Sequence, residues 1–314
     1  MRLKNSVQKN RLLAFFAFVF ACFPIAAQAT ETLTVDYAGS MGAIMDRVIG
    51  PRFAKTHGVI YQGIGRGAWG LAHLLASGQM RADVFISITP GPMIMLIKKG
   101  LIKRAIPIAS TRMVIAYSPK SRFTHEFQLA AHGKIPWYTV LESPGVRFGR
   151  TDPRTDPQGR NIIFTFLLAE KYYHRPDLAK KILGTYLNPR QIFTEASLLS
   201  RLQAGQIDAA SGYQSAVISH HLPYIPLPSA IDLDNPESME THGKNIYFKL
   251  KSTDGRSIIL RPQPLVFYAA VLNNAAHPEL ARKFVAYLTS PAAQALFRQY
   301  GYSKPQGSPL PVRK

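Results

Sequence analysis

Hydrophobic and polar residues along the chain from position 30 change period in a regular order. TLTVDYAG alternates with the two-residue period of a strand, and SMGAIMDRVIGPRFAKTHG carries Ile44, Val48 and Phe53 at roughly helical spacing. VIYQGIG, AWGLAHLLASG (closed by Gly78), ADVFISI and PMIMLIKKGLI continue the order strand, helix, strand, helix. This alternation predicts an α/β fold with a parallel sheet and crossover helices.

Two further apolar strands, near 113–117 and 265–271, interrupt that pattern. Between them the sequence predicts a helix near Asp156, helices in PDLAKKILG and EASLLSRLQAGQ, a short strand in IDAASGY, and edge strands and loops over 223–262. Two helices broken at Ser290-Pro291 close the chain. A chain that leaves one lobe, builds a second and returns explains this order. We predict lobes of 30–113 plus 266–314 and of 114–265, with a ligand cleft between them.

The first 29 residues have the layout of a secretory signal peptide. A basic start is followed by the apolar run LLAFFAFVFACFPIA and the small-residue site AQA. We expect a periplasmic protein that begins near Thr30; the alternative is a lipoprotein anchored through Cys22. Cys22 is the single cysteine of the chain. The mature protein would then have neither disulfides nor thiol catalysis.

The charge balance is strongly basic, with 38 Lys and Arg against 18 Asp and Glu and a formal net charge of +20. Such a balance favours an anionic partner. The basic residues are scattered and form no run beyond pairs, and neither zinc-ligand spacing nor an RNA-binding signature is present. We therefore do not expect nucleic acid as the partner; a small anion or simply a basic, soluble surface accounts for this charge. We further expect no cofactor and a monomer.

The stretch FGRTDPRTDPQGRN contains two acids four residues apart. Asp156-Pro157 has the residue types preferred at the start of a helix, and Asp152-Pro153 those of a turn. Neighbouring arginines are expected to keep both acids ionised, which disfavours a catalytic acid pair. The sequence leaves open whether Asp156 only caps its helix or also contacts a ligand.

Three predicted helix starts are candidate anion sites. Ser40, the 65–68 loop and Asp156 each lie where a strand or loop runs into a helix. Free N–H groups and the helix dipole bind anions at such positions without a lysine. Ser40 is expected to cap its helix, and Gly65 and Gly67 would let the backbone approach a ligand closely.

Several blocks of the sequence together resemble a known family. They are TVDYAGSMGAIMDRVIGPRFAKTHGV, RADVFISI, the stretch from Phe148 through LLAEKYY, LLSRLQAGQIDAASGYQSAVISHHLPYIPLP and ARKFVAYLTSPAAQALFRQYG. In the same order, over nearly all of the chain after position 29, they are similar to substrate-binding proteins of ABC importers. The closest resemblance is to the molybdate/tungstate-binding family, and to its archaeal-type branch in particular.

The resemblance implies a type II periplasmic-binding-protein fold, with two α/β lobes joined by crossover strands and closing on an oxyanion. It implies a receptor, not an enzyme, that delivers molybdate or tungstate to a membrane ABC permease. The ligand-binding residues that it implies are Ser40, Gly67, Ala68, Asp156 and Tyr213. Arg66 is a further candidate as a charged donor, and Asp156 would be the ligand to the molybdenum or tungsten of the bound oxyanion.

Two residues depart from the family pattern. Ala68 stands where a serine is usual, and Gly212 stands where the archaeal-type branch has a glutamate that brings the metal to six-coordination. We therefore expect tetrahedral binding, or one added bond from Asp156. A Tyr213 in the core is as compatible with the sequence as a Tyr213 at the ligand. Sulfate, phosphate or iron(III) are alternative ligands, and an enzyme on the same fold is the alternative of another class.

Overall fold

Two β-sheets organise the chain. The computed structural model describes residues 30–252 and 255–311, so the expected signal peptide and Cys22 lie outside the described residues. The first sheet has the order β2-β1-β3-β11-β4. Its strands are β1 (Thr32–Ala38), β2 (Ile60–Arg66), β3 (Val84–Ser87), β4 (Ile106–Ser110) and β11 (Val266–Val271). β1 runs parallel to β2 and β3, as the strand–helix alternation predicts, whereas β11 returns antiparallel between β3 and β4.

The second sheet has four strands in the order β6-β7-β5-β8. They are β5 (Met113–Tyr117), β6 (Phe148–Gly149), β7 (Ala209–Tyr213) and β8 (Tyr224–Pro226). β5 is antiparallel to β7 and β8, and β6 is parallel to β7. A separate hairpin pairs β9 (Phe248–Lys251) with β10 (Ser257–Leu260). The five strands of the first sheet come from residues 32–110 and 266–271, while the second sheet uses residues 113–226.

Helices connect the strands, and most of them begin near the residues at which the sequence predicts a helix start. They are α1 (Gly42–Ile44), α2 (Gly50–His57), α3 (Ala68–Ala76), α4 (Pro90–Lys98), α5 (Thr124–Ala131), α6 (Trp137–Leu141), α7 (Pro157–Tyr172), α8 (Leu178–Leu183), α9 (Glu195–Ala204), α10 (Gln214–Ser219), α11 (Pro236–Thr241), α12 (Pro278–Leu288) and α13 (Pro291–Gln299). The sequence analysis does not predict α5, α6 or the edge strand β4, because their apolar residues form patterns too short to identify an element. α12 and α13 meet at Ser290-Pro291, as expected, and Ser290 caps α13.

The helical segment after β1 differs from its prediction. It opens with a 3-10 turn (Gly39–Met41) and contains a π-helical stretch (Met45–Ile49) between α1 and α2. The Gly50 N–H donates to the Met45 carbonyl five residues back, and Pro51, which follows, has no N–H to donate. Ser40 lies inside the 3-10 turn and makes no capping hydrogen bond. The prediction that Ser40 caps a helix was therefore wrong.

Asp208 anchors the start of β7 in the second sheet. Its buried carboxylate accepts hydrogen bonds from the Ser121 hydroxyl, from the Arg147 backbone N–H at 2.9 Å and from the Arg147 guanidinium at 2.8 Å. Burial alone would raise the pKa of Asp208, but these hydrogen bonds outweigh it and lower the pKa below its usual value. The ionised form is therefore preferred in the folded protein.

We predict that Asp208→Ala lowers the unfolding free energy by about 2–3 kcal/mol at neutral pH, because the carboxylate loses several charged hydrogen bonds. Since the folded pKa lies below the unfolded value of about 3.9, this contribution is complete above that value and disappears as the pH falls through the folded pKa. Urea unfolding at several pH values measures it. Asp177→Ala, which removes a surface pair with Lys181, is the control and should change nothing measurable. An equal loss at every pH would contradict the assignment.

Candidate functional site

A cavity of about 840 Å³ lies between elements of the two sheets. From the first sheet it is lined by Gly39 after β1, by the end of β2 and by the π-helical stretch. From the second sheet it is lined by the loop before α7 and by the start of α9. Strand ends of α/β sheets commonly form such ligand clefts.

Three helices of nine or more residues begin at this cavity. Gly67, Asp156 and Thr194 are the residues immediately before α3, α7 and α9, and all three line it. The first N–H groups of a helix have no intrahelical partner, and the helix dipole adds partial positive charge there. The cavity therefore has the backbone chemistry of an anion site.

Elements of the two sheets touch across the cavity at two glycines. A Cβ added to Gly67 would lie 2.7 Å from the Thr155 carbonyl oxygen, and one added to Gly39 would lie 2.6 Å from Glu195 Oε2. Nearby, the Arg160 guanidinium stacks over the Trp69 ring at 4.9 Å. Position 67 faces backbone and therefore fits only glycine in this arrangement, whereas a Cβ at position 39 would displace the end of the flexible Glu195 side chain.

Asp156 both caps α7 and faces the cavity. Its Oδ1 accepts from the Gln158 N–H at 2.9 Å, and Pro157 is the first residue of the helix, so the predicted cap is confirmed. This hydrogen bond uses only Oδ1. Burial raises the pKa of Asp156 to about 6, although the Gln158 N–H and the charge of Arg160 oppose the rise. Burial outweighs the arginine charges in setting the direction of this shift, but the pKa stays below 7, so the ionised form is still the larger fraction at neutral pH.

Asp152, in contrast, belongs to a turn. Its backbone carbonyl accepts from the N–H groups of Thr155 and Asp156, and its carboxylate pairs with Arg154 at 2.6 Å. Burial would raise the pKa of Asp152, but the hydrogen bonds from Arg154 lower it. Arg150 is fully buried and bonds the Thr185 carbonyl and Gln191. The first T-D-P therefore forms a turn with a structural role, as predicted.

Glu195, the first residue of α9, lies beside Asp156 and is a site residue that the sequence analysis did not identify. Its Oε1 is buried without a hydrogen-bond partner among the described residues. Burial raises the pKa of Glu195 well above its usual range, and the charge of Asp156 adds to the rise. The signal available in the sequence was the same as at Asp156: Thr194 and Glu195 begin a predicted helix.

Three buried hydroxyl groups around these acids also lack a hydrogen bond of acceptable geometry within the described part of the chain. They belong to Ser40, Thr151 and Ser215. Thr151 lies next to the Asp156 carboxyl, and Ser215 lies beside the Tyr302 phenol, which in turn donates to the Ser40 carbonyl at 3.4 Å. Of these three residues, Thr151 lines the cavity, whereas Ser40 and Ser215 lie outside its lining.

Tyr213 lies at the end of β7, with only 1 % of its surface exposed. Its hydroxyl accepts from Asn161 Nδ2 at 3.0 Å. Burial raises the pKa of Tyr213 well above its usual value, and the nearby charge of Asp156 contributes. The phenol therefore stays neutral and keeps its proton for donation.

The remaining predicted residues lie at the end of β2. Gly67 and Arg66 line the cavity, with Arg66 exposed to solvent, and Ala68 is the buried first residue of α3. Asp36 of β1, which lies close to Arg66, is buried with one carboxylate oxygen unpaired. Burial raises its pKa to about 6, and the charge of Arg66 opposes the rise.

Gly212 does not face the cavity. A Cβ at this position would lie 2.6 Å from Val217 Cγ2, with Ala116 and Val114 next nearest. These residues form a small apolar cluster behind β7. A carboxylate at position 212 would enter that cluster on this backbone, so the second acid near Asp156 comes from α9 instead.

The described residues contain no group of three or more His, Cys, Asp or Glu side chains placed to hold a metal ion. Within the same residues, no helix has the length and hydrophobicity needed to cross a bilayer.

A two-lobed cleft that gathers helix N-termini and buried hydroxyls is the architecture of a solute-binding protein. The chain belongs to the family of bacterial extracellular solute-binding proteins, whose model matches residues 33–303. An uncharacterized solute-binding protein of Petrotoga mobilis is 27 % identical over 290 residues, which cover 91 % of this chain and 88 % of the relative.

Relatives with a named ligand match a shorter part. The molybdate/tungstate-binding protein WtpA of Pyrococcus abyssi is 30 % identical over 210 residues. The match covers 61 % of this chain and 59 % of the relative, so the chain spans about three fifths of that protein's length.

Solved structures show the same fold. The Azotobacter vinelandii periplasmic molybdate-binding protein superimposes with a TM-score of 0.62 at 16 % identity, over 87 % of this chain and 100 % of that chain. The sulfate-binding protein SubI of Mycobacterium tuberculosis gives a TM-score of 0.54 at 16 % identity, over 87 % of each chain. These similarities establish the two-lobed α/β fold; at such identities they do not distinguish between oxyanions.

The close approach of Gly67 to the Thr155 carbonyl oxygen allows a test of how the start of α3 packs against the loop before α7. Gly67→Ala should lower the unfolding free energy by about 1–3 kcal/mol, because its Cβ would overlap the Thr155 carbonyl oxygen. Urea unfolding followed by tryptophan emission measures this change, and Trp69 reports on the same contact. Gly70→Ala in the same helix is the matched control: nothing lies within 4 Å of its Cβ, and the helix should gain about 0.5–1 kcal/mol. Equal stability of the two variants would contradict the contact.

Proposed function

We propose that this protein is an extracytoplasmic receptor that captures molybdate or tungstate in its cleft and delivers it to a membrane ABC permease. Its ligand-binding residues would be Ser40, Gly67, Ala68, Asp156 and Tyr213, with Arg66 as a charged donor. The proposal is for a binding protein and not an enzyme. The extracellular family supports a periplasmic location, reached through the predicted signal peptide at 1–29.

One observation carries this proposal: three helix N-termini and the unpaired Thr151 hydroxyl meet at one cavity, and the unpaired Ser40 hydroxyl belongs to the residue after Gly39 of its lining. A tetrahedral oxyanion accepts hydrogen bonds on all four oxygens, so it can satisfy several such donors together. Capture would follow from lobe closure, since the donors come from elements of both sheets. The names of the relatives from Pyrococcus abyssi and Azotobacter vinelandii support molybdate or tungstate as the anion.

Asp156 supports selection of a metal-centred anion over sulfate. Its Oδ1 is used by the helix cap, and the residue lines the cavity. Sulfate offers only acceptor oxygens, so an ionised carboxylate repels it. Molybdenum and tungsten can accept one more oxygen ligand, and the same carboxylate can therefore bind them.

We predict that molybdate or tungstate at about 100 times its dissociation constant stabilises the protein by roughly 2.7 kcal/mol, while sulfate, phosphate and iron(III) produce much smaller shifts. Thermal unfolding of the protein from residue 30 onward, with each ligand in turn, measures this difference. Equal or larger stabilisation by sulfate, phosphate or iron(III) would identify that alternative ligand. The absence of any shift with molybdate and tungstate would overturn the proposal.

We also predict that Asp156→Asn weakens molybdate binding by at least about tenfold and narrows its preference over sulfate, because the charge is lost while asparagine keeps the helix cap. Calorimetric titration with both anions measures the two affinities. Ser290→Ala removes a comparable cap, at α13, and should leave both affinities unchanged. If Asp156→Asn only lowers the melting temperature and keeps full affinity and selectivity, Asp156 is a cap and not a ligand.

A further inference from the structure

We propose that the outward face of the β9–β10 hairpin binds the surface of an anionic phospholipid membrane. This contact holds the protein reversibly at a membrane, and it does not depend on the ligand of the cleft. The described residues of the hairpin are not among those that line the cavity. The hairpin therefore adds a second binding surface to the one that the proposed receptor function uses.

The inward face of the hairpin packs on the body of the protein. Phe248 and Leu250 of β9 are buried. The centroid of the Phe248 ring lies 4.8 Å from that of Phe164 in α7 and 4.9 Å from that of Tyr186. Side chains alternate between the two faces of a strand, so the residues on either side of these two point outward. The packing thus determines which side chains the hairpin presents to solvent.

The outward face combines basic and bulky apolar side chains. Residues directly opposite each other in an antiparallel pair lie on the same face, and so do residues two positions apart on one strand. By this rule the outward face consists of Tyr247, Lys249, Lys251, Ser257, Ile259 and Arg261. The Arg261 guanidinium lies 5.6 Å from the centroid of the Tyr247 ring, so these two residues, which flank the paired strands, also meet. The face carries three positive charges and no negative one.

Tyr247 and Ile259 are unusually exposed for their size. Their exposed fractions are 53 % and 60 %, and the value for Ile259 is the highest of any large apolar side chain among the described residues. Lysines on a hairpin with open edges can protect it from pairing with another chain. Such protection does not require an exposed aromatic or β-branched side chain, whereas a partner that covers this face accounts for both.

The charges of this face call for an anionic partner. Between described residues, no ion pair involves Lys249, Lys251 or Arg261. The sequence from 244 to 261 contains five basic residues and a single acid. The positive charge is therefore concentrated on this segment and is not neutralised by the rest of the described chain.

A lipid surface fits this mixture of side chains better than a protein surface does. The centres of protein interfaces are depleted in lysine, whereas on this face each apolar side chain lies next to a lysine or an arginine. At a membrane, a tyrosine ring lies at the level of the headgroups, and lysine and arginine bind the lipid phosphates while their stems cover apolar surface. The family to which the chain belongs is extracellular, and the proposed delivery to a permease brings the protein to a membrane.

Co-sedimentation with lipid vesicles tests this inference. The protein from residue 30 onward should bind vesicles of phosphatidylcholine mixed with phosphatidylglycerol, should not bind vesicles of phosphatidylcholine alone, and should dissociate as salt is added. Lys249→Gln combined with Lys251→Gln should lower the partition coefficient about 25-fold, because each basic residue near an anionic membrane surface contributes about fivefold. Lys98→Gln combined with Lys99→Gln removes the same charge from an exposed position at the end of α4 and should have a much smaller effect.

The apolar part of the contact needs variants that keep the charge. Ile259→Ser should weaken binding to the anionic vesicles several-fold, because the aliphatic side chain no longer leaves water. Ile60→Ser changes an isoleucine that is 53 % exposed at the start of β2 and should leave the binding unchanged. All of these positions are exposed, so thermal unfolding should show that each variant folds as the wild type does.

A fluorescent side chain locates the contact. The emission of Tyr247→Trp should shift to shorter wavelength when anionic vesicles are added, because the indole ring moves from water to the headgroup region. Tyr172→Trp is the matched control, since Tyr172 is 51 % exposed at the end of α7, and its emission should not shift.

Four results would overturn the inference. The first is no binding of the wild type to the anionic vesicles at low salt. The second is an equal loss of binding in the two double-lysine variants, which would assign the binding to overall charge. The third is an unshifted emission of Tyr247→Trp. The fourth is binding of poly-glutamate without binding of vesicles, which would indicate an acidic protein partner. None of these results bears on molybdate binding, so the proposed receptor function stands or falls separately.

Discussion

The chemistry of the cavity depends on a balance between groups that favour a negative ligand and buried acids that oppose one. Three helix N-termini and the unpaired Thr151 hydroxyl favour a negative ligand, while Asp156 and Glu195 place two acids in the same space. In a poorly solvated site, like charges cannot all be ionised at little cost, so each acid needs a compensating donor, a proton or a ligand atom that accepts its oxygen. Asp156 has part of its compensation from α7, and Glu195 has none.

The two sheets make this balance possible because each contributes half of the site. The first sheet brings Gly39 and Gly67 to the ends of β1 and β2, where the backbone approaches the opposite side closely. The second sheet brings the starts of α7 and α9, which line the cavity; its strand β7 ends at the buried Tyr213, whose hydroxyl accepts from Asn161. In the proposed receptor, a donor set divided in this way would be complete only when both halves are together. The lobe boundaries of 30–113 plus 266–314 and 114–265 remain a prediction.

The two departures from the family pattern, Ala68 and Gly212, differ in their structural consequences. Ala68 removes a hydroxyl at the start of α3, and the unpaired hydroxyls of Thr151 and Ser215 lie elsewhere around the site. Gly212 lacks a carboxylate, but its Cβ direction leads into the apolar cluster with Val217. The acid near Asp156 comes from a separate helix.

The sequence by itself determined the elements whose signals are local. Periodicity identified β1, β2, β3, β5, β7, β11 and the closing helices, and Asp156-Pro157 identified the start of α7, because strand alternation and helix capping depend on neighbouring residues. Only the tertiary structure decided that Ser40 lies in a 3-10 turn, that Asp156 is buried enough to raise its pKa, and that Glu195 meets Gly39 across the cleft. Burial and contacts between residues more than 150 positions apart depend on how the sheets pack, and no local pattern encodes them.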